Sequence, residues 1–227
     1  MKSLYNIKHH LKIALGLTVV LICIILTSLV EKENLNTLDQ SFSSIYADRL
    51  IPATDIFYIS DHLYEKRLKV QSLLLSVESE TQASDVQDLK RQNKAVDSLL
   101  AKYRETYLVE NESTCLEDLT QKWEAYKSHE ENVLNLAMNS QKTEAYDLFK
   151  TRGNDIFRVI ITDLHKLTSI QSKVGTDLMN TSKSSIASTH LMFVLQVGVV
   201  IIIALIVNAI LLTSKVIRRS DQNFHLN

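Results

Sequence analysis

The chain has 227 residues, 25 basic and 26 acidic side chains, a formal net charge of −1, four glycines and one proline. So little Gly and Pro leaves little material for tight turns and favours long helices. Two cysteines, Cys23 in an apolar run and Cys115 in a polar segment, make neither a disulfide framework nor a metal site, and no Gly-rich phosphate loop is present. No cofactor and no nucleic-acid partner is expected.

Residues 1–12 carry Lys2, Lys8 and Lys12 without an acid. Residues 13–30 form an uncharged run of 18. At 1.5 Å per residue it makes about 27 Å of helix, near the ~30 Å hydrocarbon core of a bilayer. It is long for a signal-peptide core and lacks a small-x-small cleavage site, so it reads as an uncleaved anchor. Residues 191–213 are a second uncharged run of 23, with Gln196, Gly198 and Asn208 inside it. Residues 214–227 form a short tail with Lys215, Arg218, Arg219 and a single acid, Asp221. The flanks hold six of the 25 basic residues, leaving 19 against 25 acids between the runs. Basic flanks stay in the cytoplasm. The expected arrangement has both termini inside, two membrane spans in a lipid bilayer, and residues 31–190 in the periplasm of an inner-membrane protein.

Residues 31–190 read as helix almost throughout. In the first helix, about 32 to 78, apolar residues recur at steps of three and four: Leu35, Leu38, Phe42, Ile45, Ile56, Ile59, Leu63, Val70, Leu73 and Val77. Arg49, Pro52 and Lys66 fall on this stripe as exceptions, and Pro52 predicts a local kink. A polar break at Glu78 to Ser84 follows, and Ser84 and Gln87 have capping-box spacing. The second stripe is Val86, Leu89, Val96, Leu100, Tyr103 and Tyr107. After Glu110 to Ser113, Thr114 and Glu117 repeat the capping spacing before Leu116, Leu119, Trp123, Tyr126 and Val133. A weaker break near Asn139 to Thr143 opens the fourth helix, with Tyr146, Phe149, Ile156, Ile160, Leu164, Leu167, Val174 and Leu178. It predicts an unbroken rod into the second span. Short connections force antiparallel neighbours. The expected fold is all-α, an up-down-up-down four-helix bundle flanked by two transmembrane helices.

The first and fourth helices outrun the other two by about 30 Å. Their apolar seam would lie uncovered there, which predicts a parallel homodimer through Leu35, Leu38 and Phe42. Arg49 on the seam is a candidate for anion, dimer or transmission contacts, or a snorkelling side chain paired with Asp48 or an acid on the fourth helix. Pro52 and Asn208 are further transmission candidates; a polar group in a span seeks a partner helix. Tyr103, Tyr107, Trp123 and Tyr126 read as core aromatics before they read as a stacking pocket. None of the seven histidines has metal-ligand spacing beyond weak neighbours such as His62 and Glu65, and no nucleophile–base set stands out. No catalytic residue and no enzyme activity is expected.

The stretch Ser44–Ala53, containing Tyr46, Arg49, Leu50 and Pro52 in Y-x-x-R-L-x-P spacing, resembles the first helix of the methyl-accepting chemotaxis protein four-helix-bundle (4HB MCP, HlyB-like) sensor domain. Thr143–Phe149 and Leu164–Val174 resemble the start and body of its fourth helix. The resemblance covers about residues 1 to 215. It implies a chemoreceptor-like sensor whose bundle binds a small molecule or partner and passes a helix shift through the second span. It also implies that a basic cluster on the first helix, Lys66, Arg67 and Lys69, meets a small anionic ligand; Glu65 and Lys69 otherwise satisfy an i,i+4 pair. About 14 residues follow Thr213, too few for the HAMP linker and signalling hairpin of such receptors. Output through a separate membrane or cytoplasmic signalling partner is therefore expected. The alternatives are a structural coiled-coil interaction protein and a receptor remnant.

Overall fold

The structure is a computed structural model that describes residues 2–76 and 82–223. The described chain is helical: α1 (Lys2–Ser44), α2 (Ile51–Leu75), α3 (Gln82–Arg104), α4 (Glu110–Met138), α5 (Lys142–Leu148) and α6 (Asn154–Asn223). Single π-helical turns, Ile45–Leu50 and Phe149–Gly153, join α1 to α2 and α5 to α6. By contacts the chain divides into two compact units, Ser41–Met179 and the paired ends Met1–Gln40 with Asn180–Asn227.

The Ser41–Met179 unit is the four-helix bundle. Its direction can be read from its polar pairs. As residue numbers rise along α2 they fall along α3: Asp55 meets Lys102 at 2.9 Å, Lys66 meets Asn93, and Lys69 meets Asp88. The same reversal joins α3 to α4, through Tyr103–Glu112 at 2.8 Å, Asp97–Lys127 at 2.9 Å and Asn93–Glu130 at 3.4 Å. It joins α4 to α6 through Glu112–Gln171 and Lys122–Asp163, both at 2.5 Å. Neighbours are antiparallel, up-down-up-down, as the short connections predict.

The four apolar stripes meet as two core clusters. One holds Ile56, Ile59, Leu63, Leu100, Tyr103, Leu119, Trp123 and Leu164; the other holds Val70, Leu73, Leu89, Val133, Ala145 and Phe149. Each fully buried large side chain contributes about 1.5–3 kcal/mol. The first-helix stripe is buried as its spacing predicts from Arg49 to Leu73, its polar exceptions included. Val77 and Glu78 lie outside the described residues.

Several boundaries differ from the sequence reading. Pro52 sits in the first turn of α2, directly after a π turn in which the Ile51 N–H bonds the Tyr46 carbonyl five residues back. Pro52 has no N–H to give, and the wider turn moves its ring away from the carbonyl it would strike. The α3 helix begins at Gln82, ahead of the Ser84 cap expected. The α4 helix begins at Glu110, and the expected cap Thr114 is already inside it, donating to the Glu110 carbonyl at 3.1 Å. The true cap is extended Val109, whose N–H is accepted by the Glu112 carboxylate at 3.3 Å. The fourth helix carries one π turn, Phe149–Gly153, where Gly153 lets the backbone approach His129; from Asn154 it continues without a break to Asn223, as expected.

In the other unit, Asn34 Nδ2 donates to Ser188 Oγ at 3.4 Å. The apolar side chains from Leu17 to Val30 and from Leu191 to Ile206 are largely exposed. Among the described residues, one helix, Lys142–Ala209, is long and apolar enough to cross a membrane; its best 18-residue window has mean hydropathy 2.8 and is wholly unburied.

Candidate functional site

Helical periodicity carries polar residues into the bundle core at two levels. At the first, Arg49 (4% exposed) comes from the π turn before α2. Its Nη1 donates to Glu112 Oε2 at 2.7 Å and to Gln171 Oε1 at 3.2 Å, and its Nη2 to the Tyr107 carbonyl at 2.8 Å. Tyr103 Oη donates to Glu112 Oε1 at 2.8 Å and accepts from Gln171 Nε2 at 2.8 Å. Gln171 Nε2 also donates to Glu112 Oε1 at 2.5 Å. With the Val109 N–H, both oxygens of fully buried Glu112 are doubly bonded. All four bundle helices contribute one side chain. The Tyr107 N–H bonds Asp48 Oδ1 at 3.1 Å, so the α3–α4 connection is tied to the same turn. Burial pushes the Tyr103 phenol well above its ordinary range, so it stays a neutral donor.

At the second level lies fully buried Lys66 of α2. Its Nζ reaches Glu130 Oε1 at 3.1 Å and bonds Asn93 Oδ1, and it stands 4.6 Å over the Trp123 ring and 5.5 Å from that of Tyr126. Asn93 Nδ2 donates to the same Glu130 Oε1 at 3.4 Å. Glu130 Oε2 and one nitrogen of the adjacent His129, Nε2, have no partner among the described residues. Burial lowers the Lys66 pKa, opposed by Glu130; burial raises the Glu130 pKa, opposed by Lys66. Both groups are pressed toward their neutral forms. Beside this level Trp123 Nε1 donates to Asp97 at 2.6 Å, and Lys127 bonds Asp97 at 2.9 Å. A surface cleft of about 380 Å³ opens between α3 and α4 here.

The residues singled out from sequence are dispersed. Lys66, Arg67 and Lys69 do not form one basic cluster. Arg67 leaves the helix about 100° from Lys66, while Lys66 and Lys69, three residues apart, share the side that meets α3 at different depths. Lys66 is in the core, and Lys69 pairs with Asp88 and Asp85 of α3. The Arg67 guanidinium lies 4.7 Å from the rings of both Phe149 and Phe157 and donates to Asn154 at 3.0 Å. The Glu65–Lys69 pair does not form; Glu65 accepts from Gln92 at 3.1 Å. Arg49 pairs with Glu112 of the third helix, where Asp48 or a fourth-helix acid was expected: Asp48 already accepts from Ser44 and Tyr107. Tyr103, Trp123 and Tyr126 are core, whereas Tyr107 is 69% exposed. Leu35 and Phe42 are exposed, Leu38 is half-buried, Pro52 is buried, and Asn208 is exposed.

Glu112, Glu130, Asn93 and Gln171 escaped the sequence reading, yet a signal was there. Glu112 and Glu130 continue the third-helix stripe through Leu116, Leu119, Trp123, Tyr126 and Val133. Asn93 and Gln171 occupy the same positions on the second and fourth stripes. A polar interruption in one seam is answered by polar interruptions in the others.

Polar layers shared between its helices divide the apolar core of this antiparallel bundle and join the helices to one another. The family described as the four helix bundle sensory module for signal transduction matches residues 6–186, and the chain belongs to this family. No curated protein matches the chain.

Proposed function

We propose that this sensory module is a chemoreceptor-like sensor anchored in the cytoplasmic membrane by two spans, with its bundle in the periplasm and no enzymatic activity of its own. The observation that carries the reading is the Arg49–Glu112–Tyr103–Gln171 layer, which couples all four helices of a signal-transduction module in one hydrogen-bonded set. A small molecule or partner that favours one packing of α2 against α4 and α6 shifts the balance between packings. A shift of α6 then reaches the second span and a signalling partner beside it. The uncharged runs 13–30 and 191–213, the basic flanks and the exposed apolar side chains support the membrane anchoring.

A homodimer completes this reading. Tyr46, Leu50, Phe57, Tyr64, Leu68 and Leu75 are all exposed and fall on one line along the first helix at 3.6-residue spacing. Ala53, Ser60 and Gln71 fill the same line, so it carries no charge. An uncharged stripe of this length is compatible with its own copy in a parallel pair and supports a dimer that continues past Leu35, Leu38 and Phe42.

The test is a ligand screen on the full purified chain, following the midpoint of thermal unfolding. A ligand that binds only the folded bundle raises the midpoint with concentration. A reproducible rise from one chemical class is the expected result. Uniform silence across amines, acids, sugars and aromatics would favour the structural coiled-coil alternative.

A further inference from the structure

We propose that the cleft between α3 and α4 binds a primary amine carrying a short apolar tail, with the ammonium held by Glu130. The assignment rests on the sensory reading above and names the ligand class of its second polar layer. Glu130 lines the cleft and also a water-sized cavity behind it beside His129 and Gly153; it is only 5% exposed, Oε1 is taken by Lys66 and Asn93, and Oε2 is buried without a partner. A buried carboxylate oxygen without a donor is costly, and a charged N–H donor is its strongest complement.

Charge points the same way. The cleft is bordered by the carboxylates of Glu124, Glu130 and Glu131 and the ammonium groups of Lys90 and Lys127. Behind it Asp97 bonds Lys127, and Lys66 bonds Glu130. These seven groups sum to one negative charge in their ordinary ionised forms, which one ammonium neutralises. Lys127 is already engaged with both Asp97 and Glu124, at 2.9 and 2.8 Å, and so offers little to an incoming anion.

The apolar tail follows from what lies one helical turn away. Leu89 precedes Asn93 by four residues and Leu134 follows Glu130 by four, and both line the cleft. Because α3 and α4 are antiparallel, this puts the two leucines at the same end, one turn beyond the carboxylate. The volume, about 380 Å³, suits a ligand the size of an arylalkylamine.

The experiment uses the full chain in lipid nanodiscs and three probes of one shape: 2-phenylethylamine, 2-phenylethanol and 3-phenylpropionate. Calorimetric titration is expected to show saturable binding of the amine and none of the alcohol or acid. Glu130→Gln keeps the side-chain shape and removes the charge; it is expected to weaken amine binding by about tenfold or more. Ser128 is exposed on the cleft rim, so Ser128→Trp fills the cleft without touching the core and is expected to abolish binding with an unchanged circular dichroism spectrum. Equal binding of alcohol and amine overturns the proposal, as does wild-type amine affinity in Ser128→Trp. Binding of the acid alone, or of no amine while another class stabilises the bundle, also overturns it and leaves the sensory reading in place.

Discussion

The two polar layers are built from similar side chains and end in different states. In the Arg49 layer Glu112 is fully buried, yet both its oxygens are doubly bonded, and every helix of the bundle holds on to the set. In the Lys66 layer both donors share one oxygen of Glu130 and the other has none. Burial disfavours the charge on both members of that pair. The Arg49 layer leaves one donor, Arg49 Nε, without a partner but satisfies its carboxylate completely; the Lys66 layer leaves a carboxylate oxygen open, which a new donor can improve. The first layer therefore reads as a clamp and the second as the place where a ligand gains purchase.

Removing one partner of the clamp is expected to have the largest effect. Glu112→Ala leaves Arg49 charged and buried, and unfolding titrations of the full chain should show a loss of about 3–5 kcal/mol. A loss under about 1 kcal/mol would mean that the layer relaxes into water and locks nothing. The second layer should behave in the opposite way when both charges go. Lys66→Met with Glu130→Leu is expected to be neutral or to stabilise by about 1–4 kcal/mol, while Lys66→Met alone destabilises. If the double variant is as damaged as Glu112→Ala, the two layers are equivalent and the comparison fails.

A smaller effect is expected at the π turn that flanks the second layer. A Cβ on Gly153 would stand 2.9 Å from His129 Nε2, and His129 is itself buried. Gly153→Ala should cost about 1–3 kcal/mol through overpacking, measurable by thermal unfolding. Replacing His129 as well, with a smaller residue, should restore part of that loss.

The smallest effect is a pH dependence. Burial lowers the His129 pKa below its ordinary 6.5, with Arg152 adding to the shift and a bond to the Leu148 backbone opposing it. The unfolded chain therefore takes up this proton at higher pH than the folded bundle. The stabilisation is complete above about 6.5 and is lost as pH falls through the folded value. As pH falls from 7 to 5 the bundle should lose stability, and His129→Gln should flatten that slope. An unchanged slope in the variant would assign the proton uptake to another group.

The bundle itself was legible because its stripes are regular. The first-helix seam runs through Arg49, Pro52 and Lys66, which its periodicity marks as exceptions on the stripe and which the structure buries; the sequence reading sets Lys66 in an accessible basic cluster instead. Their partners were not legible. Arg49 finds Glu112 across 63 residues, and spacing within one helix carries no information about which level of another helix it meets. Charge composition groups Lys66, Arg67 and Lys69, whereas helical geometry turns Arg67 away from the two lysines, and each of the three meets a different set of neighbours. Helix starts were misread by a few residues because capping chemistry is redundant. Glu112 caps α4 from within the first turn, so the better-looking Thr114 was not needed. The π turns have no spacing signature beyond Pro52 and Gly153 beside them.

The contrast between clamp and responsive layer is tested most directly by amide hydrogen exchange on the full chain in nanodiscs, with and without 2-phenylethylamine. Exchange reports local opening, so a less satisfied region opens at lower free energy. Exchange is expected to be faster at residues 89–97 and 127–134 than at 100–104 and 112–119, with the amine slowing only the first two segments. Equal protection of both levels, or slowing at the Arg49 level alone, would contradict it.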